Sequence, residues 1–203
     1  MLESKDKYEK SLTVFHKFGG IVKTSDAINA GIHPRTFYNL LQEGIIEKLS
    51  RGLYRLVGLP PLGNPDLVSV SKRVPNGVIC LISALAFYEI TNQIPHEIYL
   101  AVSRNSQVPQ IDYPPVRIFR FSNSAYTEGI ELEKVDGMPI RMYSPAKTVA
   151  DCFKYRNKIG LDIAVEGLKR YRETKLFNVD EMMYFAQVCR VARVMRPYLE
   201  AVL

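Results

Sequence analysis

The sequence predicts an α+β chain, with a winged helix-turn-helix over residues 1–58 followed by a mixed α/β domain over residues 64–203. Three observations carry this. Two short helical runs are joined by a tight connection containing Gly31. A hairpin pattern with a basic, glycine-containing tip follows them directly. Beyond a Pro/Gly-rich linker, β-type runs lie between amphipathic helices.

Leu12, Phe15 and Phe18 recur at helical spacing, predicting a first helix over about residues 4–18 that stops at Gly19-Gly20. After the apolar pair Ile21-Val22, Thr24 or Ser25 is placed to cap a second helix through Asp26 and Ala27 to Ala30. Gly31 ends it, because glycine tolerates the left-handed conformation of a helix stop. His33-Pro34-Arg35 opens a third helix, since a proline in the first turn loses no hydrogen bond, and Gly44 closes it after Glu43.

On that third helix Phe37, Leu40 and Leu41 form the stripe expected to be buried. Arg35, Asn39 and Gln42 point the opposite way, with Thr36 and Tyr38 beside them. These are side chains that read base edges: arginine pairs with guanine, and asparagine or glutamine with adenine. By residue type alone they equally describe a solvated polar face; the order of the surrounding elements favours the reading face. Ile45–Leu49 and Leu53–Val57 flank Ser50-Arg51-Gly52 and read as a hairpin, with Lys48, Ser50 and Arg51 near its tip. A basic tip suits a phosphate contact, although Arg51 also serves as an ordinary turn residue.

Gly58–Pro65 is the linker, and Asn64-Pro65 starts a helix over Leu67, Val70 and Val74. Ser83–Tyr88 reads as helical. Ile98–Val102, Val116–Phe121, Ile130–Val135 and Met138–Tyr143 read as strands, the last two joined by Asp136-Gly137. Ser144-Pro145 caps a helix carrying Val149, Cys152 and Phe153. Leu161, Ala164, Val165, Leu168 and Tyr171 mark the next helix. Asn178 with Glu181 opens a single final helix over Phe185, Val188, Ala192, Met195 and Leu199, kinked or frayed at Pro197.

Composition narrows the function. The 203 residues carry a net charge of +6, with 9 Lys/Arg against 6 Asp/Glu in residues 1–57 and 18 against 15 beyond, so positive charge is denser in the smaller part. That balance favours a polyanionic partner. No apolar run reaches membrane-span length, and the mixed-charge run Met1–Lys7 does not read as a secretory signal. Cys80, Cys152 and Cys189 lie far apart with no C-x-x-C spacing, so a reduced, cytoplasmic chain without disulfide or zinc is expected.

His16, His33 and His96 have no patterned partners, and no nucleophile elbow, metalloprotease helix or phosphate-binding glycine loop is present. No catalytic, cofactor or metal site is therefore expected. The enzyme alternative is a metal-dependent nuclease with a winged-helix targeting module. It would use Glu131, Glu133 and Asp136 with Lys134, but Asp66, at a helix start, is a poor further partner. A solvated hairpin face explains the same residues. Two basic stripes stand apart: Arg190, Arg193 and Arg196 as one row on the final helix, and Lys169 with Arg170, where Glu166 is placed to pair with Arg170. Lys154, Arg156 and Lys158 add to this charge. A solvated face, a second phosphate-tracking surface and a toxin-docking surface all fit these stripes.

The run Gly31-Ile32-His33-Pro34-Arg35-Thr36-Phe37, through Glu43-Gly44 to Arg51-Gly52-Leu53-Tyr54-Arg55-Leu56, resembles the N-terminal winged helix of AbiEi-type antitoxins of type IV toxin–antitoxin, or abortive infection, systems. Arg-Gly-Leu-Tyr is its sharper part. Ser83-Ala84-Leu85, then Ile94-Pro95 leading into Ile98–Val102, is similar to that family's central signature. Tyr143–Asp151 is similar to its later one. The resemblance implies an antitoxin that represses its own operon through inverted repeats in double-stranded operator DNA. It also implies a nucleotidyltransferase-like toxin, countered without a tight complex. A transcription regulator without a toxin is the near neighbour of that reading.

Overall fold

The computed structural model describes residues 3–203, with side chains from residue 8 onward. Met1 and Leu2, the start of the charged run read against a secretory signal, lie outside the described residues. The chain forms two units: residues through Arg73 together with Val135–Met138, and Val74–Lys134 together with Pro139–Leu203.

The first unit comprises α1 (Glu3–Lys17), β1 (Ile21–Lys23), α2 (Thr24–Asn29), α3 (Pro34–Gln42), β2 (Ile46–Ser50), β3 (Leu53–Leu56) and α4 (Pro65–Arg73). Its core gathers Tyr8, Phe15, Val22, Ala27, Ile32, Phe37, Leu40, Ile46 and Leu56. The pair Ile21-Val22 becomes a strand: β1 lies antiparallel to β3, Ile21 opposite Arg55 and Lys23 opposite Leu53, giving the sheet order β1-β3-β2. Neither Thr24 nor Ser25 caps α2. The N-cap is Lys23, which makes no side-chain capping bond; strand pairing holds residues 21–23 extended and moves Thr24 into the first helical turn. Ser25 Oγ instead meets Asp26 Oδ1 at 3.3 Å.

α2 and α3 end alike. After α2, Ile32 N–H reaches back to Ala27 O at 3.0 Å and Gly31 N–H to Ile28 O at 2.9 Å. After α3, Ile45 bonds Leu40 O and Gly44 bonds Leu41 O, at 2.9 and 3.2 Å. Both are paired-bond stops that need positive φ at the glycine, 97° at Gly31 and 67° at Gly44. Between them His33 holds the start of α3, its ring Nδ1 accepting from Arg35 N–H at 3.2 Å.

The second unit contains β4 (Val78–Ile79), α5 (Leu81–Phe87), β5 (Ile98–Ser103), β6 (Val116–Phe121), α6 (Ser124–Thr127), β7 (Ile130–Val135), β8 (Met138–Tyr143), α7 (Pro145–Lys154), α8 (Arg156–Ile159), α9 (Leu161–Glu173), α10 (Val179–Val188) and α11 (Ala192–Glu200), except that the β7–β8 turn with Val135 and Met138 belongs to the first. The sheet order is β6-β5-β4-β8-β7, with β4 antiparallel to β5 and parallel to β8, and β5 parallel to β6. The strands expected from sequence are present; β4, α6 and α8, each two to four residues long, were too short to leave a periodic signal. Asp136 and Gly137 both take positive φ, 50° and 80°, as a two-residue hairpin turn requires. The chain is therefore α+β, with helices leading and the larger sheet following.

Two caps behave as expected: Ser144 Oγ accepts from Lys147 N–H at 3.3 Å, and Asn178 Oδ1 from Glu181 N–H at 3.0 Å. The single final helix does not form. α10 stops at Cys189, Arg190 turns left-handed at φ 60°, and α11 begins at Ala192. Val191 N–H bonds Ala186 O and Arg190 N–H bonds Gln187 O, at 2.8 and 2.9 Å, the same stop as after α2 and α3 but with arginine in the glycine position. α11 then runs through Pro197 to Glu200 and is not ended by it.

Candidate nucleic-acid interface

α3 is anchored by its apolar stripe. Phe37 and Leu40 are buried, and the Phe37 ring stacks on Phe15 at 6.2 Å and meets Tyr54 edge-on at 4.9 Å. Leu41 is only half-buried. The opposite stripe is presented outward: Arg35 and Gln42 are exposed, Tyr38 is 61% exposed, and Asn39 and Thr36 are half-buried. Residues 35, 38, 39 and 42 follow one helical face, so their side chains leave α3 in the same direction. That face has no apolar member except the Tyr38 ring.

The hairpin follows at once. β2 and β3 are antiparallel, with Lys48 opposite Tyr54 and a bulge between Lys48 and Ser50. Lys48, Arg51 and Gly52 are exposed, but Ser50 is half-buried. The turn is engaged from α4: Ser50 Oγ lies 3.0 Å from Ser69 Oγ, and Arg73 Nη2 donates to Arg51 O at 2.5 Å and Ser50 Oγ at 3.3 Å. Arg55, buried on β3, donates to Leu59 O and Pro60 O at 2.6 and 3.0 Å, and Glu47 lies 3.1 Å from its Nε. Sequence reasoning did not single out Ser69, Arg73 or Arg55. The available signal was that Ser69 and Arg73, four apart, share one face of a helix whose apolar residues lie elsewhere.

Among the basic residues of the second unit, Arg170 pairs with Glu166, Nε to Oε1 at 3.2 Å, as the spacing predicts. Glu166 also accepts from Asn92 N–H at 2.6 Å. Lys169 and Arg170 border a depression of about 510 Å³ together with Asp162, Glu166 and Glu173, so the surface there is of mixed charge. The expected row of Arg190, Arg193 and Arg196 on one helix is not formed. All three are exposed, but Arg190 sits in the break between α10 and α11, leaving only Arg193 and Arg196 in helical register. Lys154 and Lys158 lie over the rings of Phe121 and Tyr155, and Arg156 donates to Phe153 O at 2.8 Å.

The carboxylates of β7 serve a tyrosine. Tyr88 hydroxyl donates to Glu133 Oε1 at 3.1 Å and to Glu131 Oε2 at 3.4 Å. Burial, then the charges of Glu133 and Glu131, push the Tyr88 hydroxyl up. Burial, then Glu133 and Glu181, holds Glu131 above the usual carboxylate range. Asp136 is occupied otherwise, its two oxygens accepting from the backbone N–H groups of Gly63 and Asn64 at 2.8 and 2.9 Å. Among the described residues no group of three or more His, Cys, Asp or Glu side chains is placed to hold a metal ion. None of their helices is long and apolar enough to cross a membrane. His16 and His96 are exposed, and Cys80, Cys152 and Cys189 are buried free thiols.

One buried polar cluster was not anticipated. Lys147 and Asp151 on α7 are both fully buried, Nζ to Oδ2 at 2.5 Å, and Cys189 Sγ donates to Asp151 Oδ1 at 3.1 Å. The Lys147 ammonium lies 4.0 Å from the centre of the Tyr143 ring. Burial outweighs the attraction of Lys147 and holds Asp151 above the usual carboxylate range.

The comparisons with known proteins bear on the same segment. The overall fold is similar to the crystal structure of the RV2827C protein from Mycobacterium tuberculosis, with a TM-score of 0.57 at 12% identity over 94% of this chain and 79% of that one. That likeness concerns the fold alone. No curated protein matches the chain. Residues 9–57 match the family model described as transcriptional regulator, AbiEi antitoxin. This matched stretch holds both the outward stripe of α3 and the whole β2–β3 hairpin.

Proposed function

We propose that this chain is a DNA-binding repressor, the antitoxin of a type IV toxin–antitoxin system, which binds inverted repeats in the operator of its own operon. In this reading α2 and α3 are a helix-turn-helix, α3 is the recognition helix, and the β2–β3 hairpin is a wing; residues 1–58 read DNA and residues 64–203 form the antitoxin or regulatory part. The observation that carries it is the α3 stripe of Arg35, Tyr38, Asn39 and Gln42, turned outward by a helix locked at Phe37 and Leu40. Thr36 flanks the stripe, and Lys48 and Arg51 extend it with exposed cations. Arginine, asparagine and glutamine on a rigid helix are what major-groove readout needs. The family match over residues 9–57 supports the regulator and antitoxin role.

The functional partner is a nucleotidyltransferase-like toxin, countered without a tight complex. The work is done in the cytoplasm, by recognition alone, with no cofactor and no catalytic step. In the second unit, Lys169, Arg170, Arg190, Arg193 and Arg196 supply a secondary surface for DNA or toxin, and with Arg190 out of register Arg193 and Arg196 are its core.

Footprinting on the region upstream of the gene tests the reading, with paired, inverted half-sites expected. Arg35→Ala and Asn39→Ala should each flatten the preference among base-substituted duplexes, a good bidentate base contact being worth about 1–3 kcal/mol of discrimination. Binding to the upstream duplex no tighter than to random duplex at equal salt refutes the proposal.

A further inference from the structure

α4 reaches the tip of the hairpin with two side chains. Ser69, buried, meets Ser50 Oγ, and Arg73, half-buried in the last turn of α4, donates to the carbonyl of Arg51 and the hydroxyl of Ser50. On the other side of the turn Thr24 N–H bonds Gly52 O at 3.0 Å. Residues 50–52 are thus gripped from both sides through their backbone and through Ser50. A two-residue hairpin end flanked by a bulge has few bonds of its own, and the bulge leaves Leu49 outside the ladder. Of the donors just described, only the Arg73 guanidinium is charged, and hydrogen bonds with an ionised partner are the stronger kind.

We infer that Arg73 is the positioning residue of the wing: it fixes the Ser50-Arg51-Gly52 turn so that Arg51 meets the DNA backbone in one geometry, and it does so without touching DNA itself. Ser50 then belongs to the clamp and makes no phosphate contact. The inference rests on the wing reading given above. It extends that reading by assigning a role to a residue outside the matched segment 9–57.

The test uses the full chain and the duplex of its native upstream region, with affinity followed through a salt series. Arg73→Met keeps the aliphatic stem and removes the donors. In the DNA-free protein, amide exchange across residues 50–53 should rise roughly tenfold or more, the loss expected when a hydrogen bond to a charged group is removed. The slope of log K against log salt should fall by about one in Arg51→Ala, and by a similar amount in Arg73→Met. Arg73→Met combined with Arg51→Ala should bind no more weakly than Arg51→Ala alone, because both remove the same contact. Arg73→Lys, which keeps a cationic donor, should recover part of the slope. Preference among base-substituted duplexes should be unchanged throughout. Unchanged amide exchange in Arg73→Met overturns the inference, as does an unchanged slope in Arg73→Met beside a reduced one in Arg51→Ala. Additive losses in the double variant also overturn it, since Arg73 would then contact phosphate directly. An unchanged slope in Arg51→Ala refutes the wing reading itself, and the inference falls with it.

Discussion

Replacing Lys147 by methionine tests the buried pair at the heart of the second unit. Both side chains are 0% exposed, with the ammonium 2.5 Å from Asp151 and 4.0 Å from the Tyr143 ring centre. Methionine keeps most of the stem, so little cavity is added, and the dominant cost is an orphaned carboxylate. Removing one member of a buried ion pair costs about 3–5 kcal/mol. Cys189 still donates to Asp151, which places the expected loss near the lower end, about 3 kcal/mol. At roughly 2–4 °C per kcal/mol for a chain of this size, the melting point should fall by roughly 6–12 °C. The loss must also depend on pH. Burial already holds Asp151 high, and without Lys147, the largest influence opposing burial, its affinity for a proton rises further. A carboxyl raised in the folded state contributes stability that is full below its unfolded pKa and is lost as pH rises through the folded value. The deficit of Lys147→Met is therefore greatest near neutrality and shrinks in mild acid. Urea unfolding followed by circular dichroism, at neutral and mildly acid pH, reads both quantities. A deficit below about 1 kcal/mol at neutrality, or one that is the same at both pH values, refutes the reasoning. Lys147→Met with Asp151→Leu should recover most of the loss, because a buried pair exchanged for apolar residues of similar volume is often neutral.

Three further outcomes follow from the structure. Arg190→Gly should stabilise the chain by about 0.5–1 kcal/mol in urea unfolding: the left-handed conformation costs a side chain about 1–2 kcal/mol, offset in part by the greater unfolded-state freedom of glycine. A loss of stability would show that the Arg190 side chain holds the α10–α11 break. Arg193→Ala with Arg196→Ala should leave stability within about 0.5 kcal/mol, as both side chains are exposed; a salt slope of DNA binding lowered by up to about 1.8 units, or failed rescue of toxin-expressing cells, would say which partner the pair serves. Glu131 is held high by burial and by Glu133 and Glu181, so its contribution is present below the ordinary carboxylate range and is lost as pH rises. Glu131→Gln should therefore gain stability relative to the parent on going from acid to neutral pH, and parallel stability–pH curves for the two proteins would contradict this.

Much of the first unit was legible because its determinants are local. Gly31, Pro34 and Gly44 bound α2 and α3 through conformations that only neighbouring residues decide, and the alternation of Phe37 and Leu40 with Arg35, Asn39 and Gln42 states which face is buried. The longer strands of the second unit were legible for the same reason, since Ile98–Val102 and Val116–Phe121 are runs of β-type residues bounded by breakers. What was not legible depends on partners far along the chain. Lys147 and Asp151 carry no sequence signal of their own beyond the Tyr143–Asp151 run; they are buried because α5, α9, α10 and α11 all pack against α7 and leave it no outer side. The stop at Arg190 carries no glycine, so the apolar spacing continued through it as though one helix were present.

Ser50 shows how the two kinds of information divide at the candidate site. Its place in the sequence, beside Arg51 and Gly52, puts it at a hairpin tip, and a tip serine is a reasonable phosphate donor. Its environment is set nineteen residues later by Ser69 and twenty-three later by Arg73, whose separations in sequence no periodicity relates to the hairpin. Helical spacing puts Ser69 and Arg73 on one face of α4, four residues apart, but it says nothing of what that face meets. Burial supplies the answer: Ser69 is only 3% exposed in a short helix at a linker, and a buried hydroxyl needs a partner. That partner is Ser50. The sequence therefore places the outward polar stripe of α3 directly, whereas the conformation of the hairpin tip beside it is decided by a helix outside the segment that carries the family match.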